Sequence, residues 1–167
     1  MVGNQESNRV VNEYAERDVL ASAALSQTDG VFYHIADQNR IPTLLNKATQ
    51  EQVDAMVEKG ILYKAESLEA LAEQIGCPSE NLMASVEKYN SYVDAGNDPD
   101  FGKNVFGSKI ETAPYYAVIE KPSVHHTMGG LTLNTEAQVL NEAGEAIQGL
   151  YAEGEVNGGI HGSNRVG

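Results

Sequence analysis

Apolar residues recur with two different spacings along the chain. Up to about residue 110 they follow the i, i+3, i+4, i+7 spacing of amphipathic helices, whereas from Tyr115 onwards they alternate in the short runs typical of strands. The pattern predicts helices at 17–28, 43–48, 49–60, 67–76 and 78–96, and strands at 31–37, 115–120, 131–135, 137–141 and 149–155. The predicted fold class is therefore α+β, with a helix-rich first part and a strand- and glycine-rich second part.

Short polar signals mark the ends of several of these elements. Thr49 and Gln52 have the spacing of a capping box, and Ser67 precedes a predicted helix that Gly76 ends. The Asn-Glu-Ala-Gly stretch at 141–144 is typical of a hairpin turn between two strands. The strand at 149–155 is predicted to be short and buried.

Composition excludes several classes of partner. The 167 residues fit one domain, or one domain with part of another, and they carry 24 acidic against 11 basic residues for a net charge of −13. Nucleic acid is not an expected partner, because no basic stripe is present to neutralise phosphates. No apolar run approaches the roughly 18 residues of a membrane span. Cys77 is the only cysteine, which excludes an internal disulfide, so any redox chemistry has to come from a bound organic cofactor.

The acids around the predicted loop at 96–110 do not form a predicted metal site. Asp98, Asp100 and Glu111 are the candidates, and their spacing does not match that of a calcium-binding loop. We therefore expect no metal in this chain.

The glycine-rich end of the chain is the strongest candidate for a binding site. Histidine, glutamate and arginine side chains that can hold an anion or a sugar stand there among glycines, which let a backbone approach a ligand closely. These residues are His125, His126, Gly129, Gly130, Glu155, His161, Asn164 and Arg165. The residue types alone leave ordinary alternatives open: structural histidines in a turn, a β-turn at Gly154, and a surface arginine.

Arg17 is a second candidate, within the sequence NEYAERD. Its acidic neighbours are Glu13, Glu16 and Asp18. Composition alone favours an exposed arginine at the start of a helix that pairs with these neighbours.

Three stretches resemble the soluble fumarate reductase flavoproteins, which belong to the FAD-dependent fumarate reductases, succinate dehydrogenases and related enoate reductases. HHTMGG at 125–130 and GLYAEGEVNGGIHGSNRVG at 149–167 resemble the family's C-terminal region. VVNEYAERDVLASAAL at 10–25 is similar to the stretch around its active-site arginine. SVEKYNSYVDAGNDPDFGK at 85–103 resembles its capping domain, so the resemblance covers essentially the whole chain.

The resemblance implies two regions with different roles. Residues 1–114 correspond to the capping (clamp) domain on the substrate side, built of helices on a small sheet. Residues 115–167 correspond to an incomplete, strand- and glycine-rich C-terminal segment of the FAD-binding domain.

Roles for individual residues follow from the same resemblance. Arg17 matches the arginine that delivers a proton to the substrate, and His125 and Arg165 match the pair that clamps one carboxylate. Thr127 is a further implied substrate-binding residue. The implied cofactor-binding residues, with Glu155 on the FAD ribose, are His126, Met128, Gly129, Glu155, Asn164 and Gly167.

The implied reaction reduces fumarate to succinate. Hydride passes from N5 of the reduced flavin to one alkene carbon, and the arginine gives a proton to the neighbouring carbon. Cations around a carboxylate stabilise the negative charge that develops. Arg17, His125 and Arg165 would in this way draw an anion into an acidic protein.

Parts of the family's pattern are missing from these 167 residues, including the glycine fingerprint G-x-G-x-x-G for the nucleotide and a second substrate histidine. We therefore expect the chain to be a fragment whose partner is the remainder of the flavoprotein. On its own it is expected to be inactive and to lack FAD.

Two alternative functions stay open at this point. The same flavin chemistry could act on another acrylate, such as urocanate. Alternatively, the chain could be a standalone, non-catalytic binding module with the fold of the capping domain. The sequence leaves the compartment open between cytoplasm and periplasm.

Overall fold

The computed structural model describes residues 1–124, 126–162 and 164, and the chain divides into two compact units, Met1–Pro122 and Ser123–Gly167. The boundary between the units therefore follows Pro122, whereas the sequence placed it after residue 114. The difference is strand 115–120, which pairs with two strands of the first unit.

The first unit contains a four-stranded antiparallel sheet in the order β1-β2-β4-β3. Its strands are β1 (Val2–Gly3), β2 (Phe32–Asp37), β3 (Leu62–Ala65) and β4 (Tyr115–Glu120). Its α-helices are α1 (Arg17–Leu25), α2 (Ile41–Leu44), α3 (Gln50–Glu58), α4 (Leu68–Ile75) and α5 (Ser79–Ala95), and a 3-10 turn at Thr28–Gly30 follows α1. None of the helices in the described residues is both long enough and apolar enough to cross a bilayer.

The predicted helix ends are confirmed where a side chain caps the backbone. Thr49 and Gln52 form the expected capping box: the Thr49 amide donates to Gln52 Oε1 over 2.8 Å, and the Gln52 amide donates to Thr49 Oγ1 over 3.3 Å. Ser67 Oγ accepts the Ala70 amide at the start of α4, and Gly76 ends that helix with a φ of +73°. These local interactions need no distant partner, which is why the sequence revealed them.

Both faces of the sheet are covered. Neighbouring strand residues point to opposite faces, so Ala117 packs with Leu71 and Leu82 of α4 and α5, whereas Tyr116 packs with Val53 of α3 and Ile41 of α2. The expected arrangement of helices on a small sheet is confirmed, with the helices divided between the two faces.

The second unit contains a β-hairpin formed by β5 (Gln138–Leu140) and β6 (Ala146–Tyr151). The predicted turn at 141–144 is confirmed: Asn141 Oδ1 accepts the Ala143 and Glu145 amides, and Gly144 has a φ of +80°. A 3-10 turn at Gly154–Asn157 follows β6.

Two strand predictions in this unit were wrong. Residues 131–135 form only a single bridge, between Leu133 and Val139. The Thr132 carbonyl accepts the Leu140 amide and the Asn134 amide donates to the Gln138 carbonyl, but the contact with β5 stays short because the Leu131 amide bonds to the Val156 carbonyl and the chain turns at Asn134. The strand placed at 149–155 begins earlier, at Ala146, ends at Tyr151, and is exposed rather than buried. Within the described residues β6 has β5 as its sheet neighbour, which leaves its side chains uncovered.

Candidate functional site

A buried charge network holds the chain segment that leads into α1. Glu13 Oε1 accepts hydrogen bonds from Arg9 Nε over 2.7 Å and from the Val2 amide over 3.1 Å. Glu13 Oε2 accepts from Arg9 Nη2 over 2.9 Å and from Lys103 Nζ over 2.8 Å. Arg9 Nη2 also donates to Asp98 Oδ2 over 2.7 Å. All four charged side chains are at least nine-tenths buried, and we call them the Glu13 cluster: Arg9, Glu13, Asp98 and Lys103.

Aromatic rings enclose the two cations of the Glu13 cluster. The Arg9 guanidinium lies 5.5 Å from the centre of the Tyr89 ring and 5.0 Å from that of Phe101. Lys103 Nζ lies 5.1 Å from the centre of the same Tyr89 ring. Cations over ring faces in a water-poor site gain electrostatic stabilisation, which adds to that from the carboxylates.

The network keeps its two acids ionised. Burial alone would raise the pKa of Glu13, but hydrogen bonds from Arg9 and Lys103 and the surrounding positive charge outweigh burial and hold that pKa well below its usual range. Burial likewise opposes ionisation of Asp98, while the Arg9 hydrogen bond and backbone amides lower its pKa. A carboxylate this fully engaged is not available to neutralise another arginine.

Arg17 occupies the first position of α1, four residues after Glu13, and is exposed. Glu13, the buried acid among its three acidic neighbours, pairs with Arg9 and Lys103, so the part of the interpretation that paired Arg17 with Glu13 was wrong. The physical reason is that Glu13, the nearest buried acid, is already bound by Arg9 and Lys103. Arg17 therefore presents positive charge to its surroundings.

In the second unit, the segment 126–130 lies directly against the 3-10 turn at Gly154–Asn157. The Leu131 amide donates to the Val156 carbonyl over 2.8 Å, and Thr127 Oγ1 donates to the Glu155 carbonyl over 3.5 Å. A Cβ at Gly130 would overlap the backbone of Val156 and Gly158, and a Cβ at Gly158 would overlap Gly130 in turn. The two glycine-rich motifs are thus brought together by a backbone contact that only glycine permits.

Side chains from both motifs meet beside this contact. The rings of His126 and His161 are edge to face with their centres 5.6 Å apart. His161 Nε2 lies 3.3 Å from Glu155 Oε1, and His126 Nε2 lies 3.3 Å from Met128 Sδ. Glu155 keeps 44% of its side-chain surface exposed, so its carboxylate stays accessible to a ligand.

The structure brings together most of the described residues that the sequence assigned to the cofactor and substrate. Those that meet are His126, Thr127, Met128 and Glu155. Gly129 is exposed and Asn164 is half-buried. Arg17 belongs to the first unit. Three candidates lie outside the described residues: His125, Arg165 and Gly167.

The residues around Glu155 fit one edge of an FAD site. A Cβ at Gly129, Gly154 or Gly159 would meet no atom of the described residues within 4 Å, so these residues leave the backbone there open to a flat ligand. An exposed carboxylate beside open backbone can accept hydrogen bonds from ribose hydroxyls, as an acid does in dinucleotide sites. Among the described residues, no group of three or more His, Cys, Asp or Glu side chains could hold a metal ion.

The Glu13 cluster was missed by the sequence interpretation. Arg9 and Glu13 stand four residues apart with opposite charge, a signal that was available. Asp98 and Lys103 carried no such signal, because they come from a distant loop whose composition indicated only solvent exposure. His161 was noticed among the polar residues but was given no role.

Comparison with known proteins gives matches along the whole chain. Residues 1–167 match the family model described as "FAD binding domain". The chain is 49% identical to the NADH:acrylate oxidoreductase of Vibrio harveyi and 41% identical to the urocanate reductase of Eggerthella lenta, each over 98% of its own length. A fumarate reductase (cytochrome) of Shewanella frigidimarina is 38% identical over the same share of the chain.

Solved structures give the same result for the fold. The open conformation of a flavocytochrome c3 fumarate reductase matches 99% of the chain with a TM-score of 0.75 and 38% identity. The chain spans only part of its relatives: 16% of the acrylate oxidoreductase, 27% of the urocanate reductase and 28% of the fumarate reductase.

Proposed function

The chain belongs to the FAD binding domain family and to its fumarate reductase flavoproteins, and from this premise we propose that it is part of an FAD-dependent reductase of acrylate-type double bonds. The observation that supports this proposal is that relatives named for acrylate, urocanate and fumarate each match 98% of the chain. FAD is the cofactor of this family, as the sequence resemblance implied.

Fumarate is the substrate that we propose first. The second candidate is acrylate, since the relative that is 49% identical carries that name. The two substrates differ in charge: fumarate has a carboxylate at each end of its double bond and acrylate has one. A protein with a net charge of −13 needs local cations to hold either of them.

We assign the proton-donating role to Arg17. Two observations support it: Arg17 is exposed, and Glu13, the buried acid among its neighbours, is paired with Arg9 and Lys103. Bound FAD would supply the hydride. Arg17 would hold a proton against the other alkene carbon, and its positive charge would stabilise the negative charge that develops there.

His125, Arg165 and Thr127 remain our proposed substrate-binding residues, with His125 and Arg165 on one carboxylate. His126, Met128, Gly129, Glu155, Asn164 and Gly167 remain our proposed FAD contacts. The meeting of His126, Met128 and Glu155 in one place supports a shared ligand. By the same reasoning, Met1–Pro122 is the proposed capping domain, and Ser123–Gly167 is the proposed C-terminal segment of the FAD-binding domain.

The test uses the intact, FAD-loaded parent protein and a chemically reduced dye as electron donor. Fumarate, acrylate and urocanate are compared by kcat/KM. Arg17→Ala should abolish turnover of the preferred substrate while the FAD content stays unchanged. Lys59→Ala, which removes an exposed cation elsewhere in the first unit, is the charge-matched control and should keep full turnover.

Retained turnover in Arg17→Ala would remove Arg17 as the proton donor. A higher kcat/KM for acrylate or urocanate than for fumarate would replace the proposed substrate. No activity toward any of the three acrylates would refute the proposed reaction class.

A further inference from the structure

Side chains hold in place the segment that leads from β1 to Arg17. Between β1, which ends at Gly3, and α1, which begins at Arg17, the chain forms no helix or strand beyond a single bridge between Gly3 and Arg9. All of these residues lie in the described part of the chain. A segment without a helical or sheet ladder keeps its position through its turns, its side-chain hydrogen bonds and its buried side chains, which here are Ser7 and Val11.

Glu13 is the residue in this segment with the most such bonds. Its carboxylate accepts four hydrogen bonds from three places: the β1 backbone at Val2, the Arg9 side chain, and Lys103 from the loop after α5. Arg9 is itself held by Asp98, whose other oxygen accepts the backbone amides of its own loop. Glu13 is thereby fixed to parts of the unit that are distant in sequence.

No side chain in the first turn of α1 is buried. Ala24, near the end of the helix, is its buried residue, whereas Arg17, Asp18 and Val19 are exposed. Three residues separate Glu13 from Arg17, and a turn closed by the Ala15 amide on the Asn12 carbonyl includes two of them. The fixed position of Glu13 therefore constrains where Arg17 can lie.

We propose that Glu13 is a positioning residue for Arg17, acting through the Glu13 cluster. This inference rests on the proposed function, since it assigns Glu13 its effect on the same reaction. Glu13 fixes the segment from which α1 starts, and its engagement with Arg9 and Lys103 keeps its own charge from neutralising Arg17. The expected consequence is a loss of turnover without a loss of binding when Glu13 is disturbed.

The experiment compares Glu13→Gln with Glu16→Gln in the intact, FAD-loaded protein. Both variants remove one carboxylate from the same segment, and Glu16 is exposed and closer to Arg17 in sequence. Misplacement of a reacting group by about 1 Å can cost roughly 100-fold in rate. We expect Glu13→Gln to lower kcat by at least about 10-fold, with KM and FAD content within about twofold of wild type. Glu16→Gln should leave kcat within about twofold.

A second readout separates positioning from a general structural role. When the bound flavin is reduced beforehand and the free dye is removed, two ferricyanide ions reoxidise it by taking one electron each, without any proton donor at Arg17. Glu13→Gln should therefore keep its ferricyanide activity while alkene reduction falls. A structural defect would lower both activities together, and that result would overturn the proposal.

Lys103→Met is the second variant, and it decides the question if Glu13→Gln does not fold. It removes one bond to Glu13 and leaves both bonds from Arg9. Alkene reduction should again fall more than ferricyanide reduction. Suppose that Arg17→Ala abolishes turnover while every folded variant of Glu13 and Lys103 keeps kcat within about twofold. The positioning role would then be refuted and the proposed function would stand. Turnover in Arg17→Ala would instead refute the proposed role of Arg17.

Discussion

Gly130→Ala tests the backbone contact that joins the two glycine-rich motifs of the second unit. The added Cβ would overlap the Val156 carbonyl oxygen and the Gly158 amide nitrogen, and it would lie 2.6 Å from the Asn157 carbonyl carbon. All of these atoms are backbone, so no change of rotamer can relieve the overlap. The two segments would have to separate by roughly 1 Å to restore an ordinary carbon–carbon contact.

That separation sets the size of the expected effect. The hydrogen bond from the Leu131 amide to the Val156 carbonyl is 2.8 Å long, and a further 1 Å or so would take it out of bonding range. Overpacking costs about 1–3 kcal/mol and the lost hydrogen bond about 1 kcal/mol. Together these terms destabilise the contact by about 2–4 kcal/mol.

Hydrogen exchange of the Leu131 amide measures this contact directly. A loss of about 2 kcal/mol corresponds to roughly 30-fold faster exchange through local opening. Gly129→Ala is the matched control, because a Cβ there meets no atom within 4 Å in the part of the chain that the structure describes, and its Leu131 amide should exchange at nearly the wild-type rate. If Gly130→Ala exchanges as slowly as wild type, the close contact between Gly130 and Val156 does not exist.

Three further predictions concern the stability of the first unit, measured by urea unfolding of the 167-residue chain. Leu82→Ala, at a fully buried position, should cost about 2–5 kcal/mol, whereas Met83→Ala, whose side chain is 40% exposed, should cost less than about 1 kcal/mol. Thr49→Ala removes a capping box and should cost about 1 kcal/mol; an unchanged midpoint would contradict the cap. Ionised Glu13 stabilises the fold above its usual pKa of 4.5, and this stability is lost as the pH falls below that value. Glu13→Gln should therefore be less stable than wild type at neutral pH and lose less stability on acidification, and a parallel loss in both proteins would contradict the assigned pKa.

The sequence predicted those parts of the fold that depend on neighbouring residues. Capping residues such as Thr49 and Ser67 act within one turn, so the ends of α3 and α4 were visible. Strand β3 was not predicted, because four residues between two helices are too few for alternation to appear. Residues 131–135 alternate like a strand, yet they form a single bridge to β5, because the Leu131 amide bonds to the Val156 carbonyl and the chain turns at Asn134. The spacing of apolar residues does not show which backbone groups such a segment will bond to.

The same distinction applies to the candidate site. Motif resemblance located both halves of the contact between 126–130 and the Glu155 turn, and the structure places them together. It did not reveal that Glu13 is bound by Lys103, because the two residues are 90 positions apart and meet only through the topology of the sheet and the loop after α5. As a result, Glu13, one of the three acids that composition assigned to Arg17, pairs with Arg9 and Lys103 instead.

The position of β4 has a consequence for dividing this protein into pieces. β2 and β3 each pair with β4 and not with each other, and Ala117 of β4 lies opposite Ile35, which precedes it by 82 positions in the chain (117 − 35). A polypeptide that stops before Tyr115 would leave two strands, each with an unpaired edge, separated by a vacant strand position. Such edges bind any extended peptide that fits, including another copy of the truncated chain. A synthetic peptide that carries Tyr115–Glu120 should therefore restore the sheet in trans, which makes the first unit a candidate for a split-protein reporter.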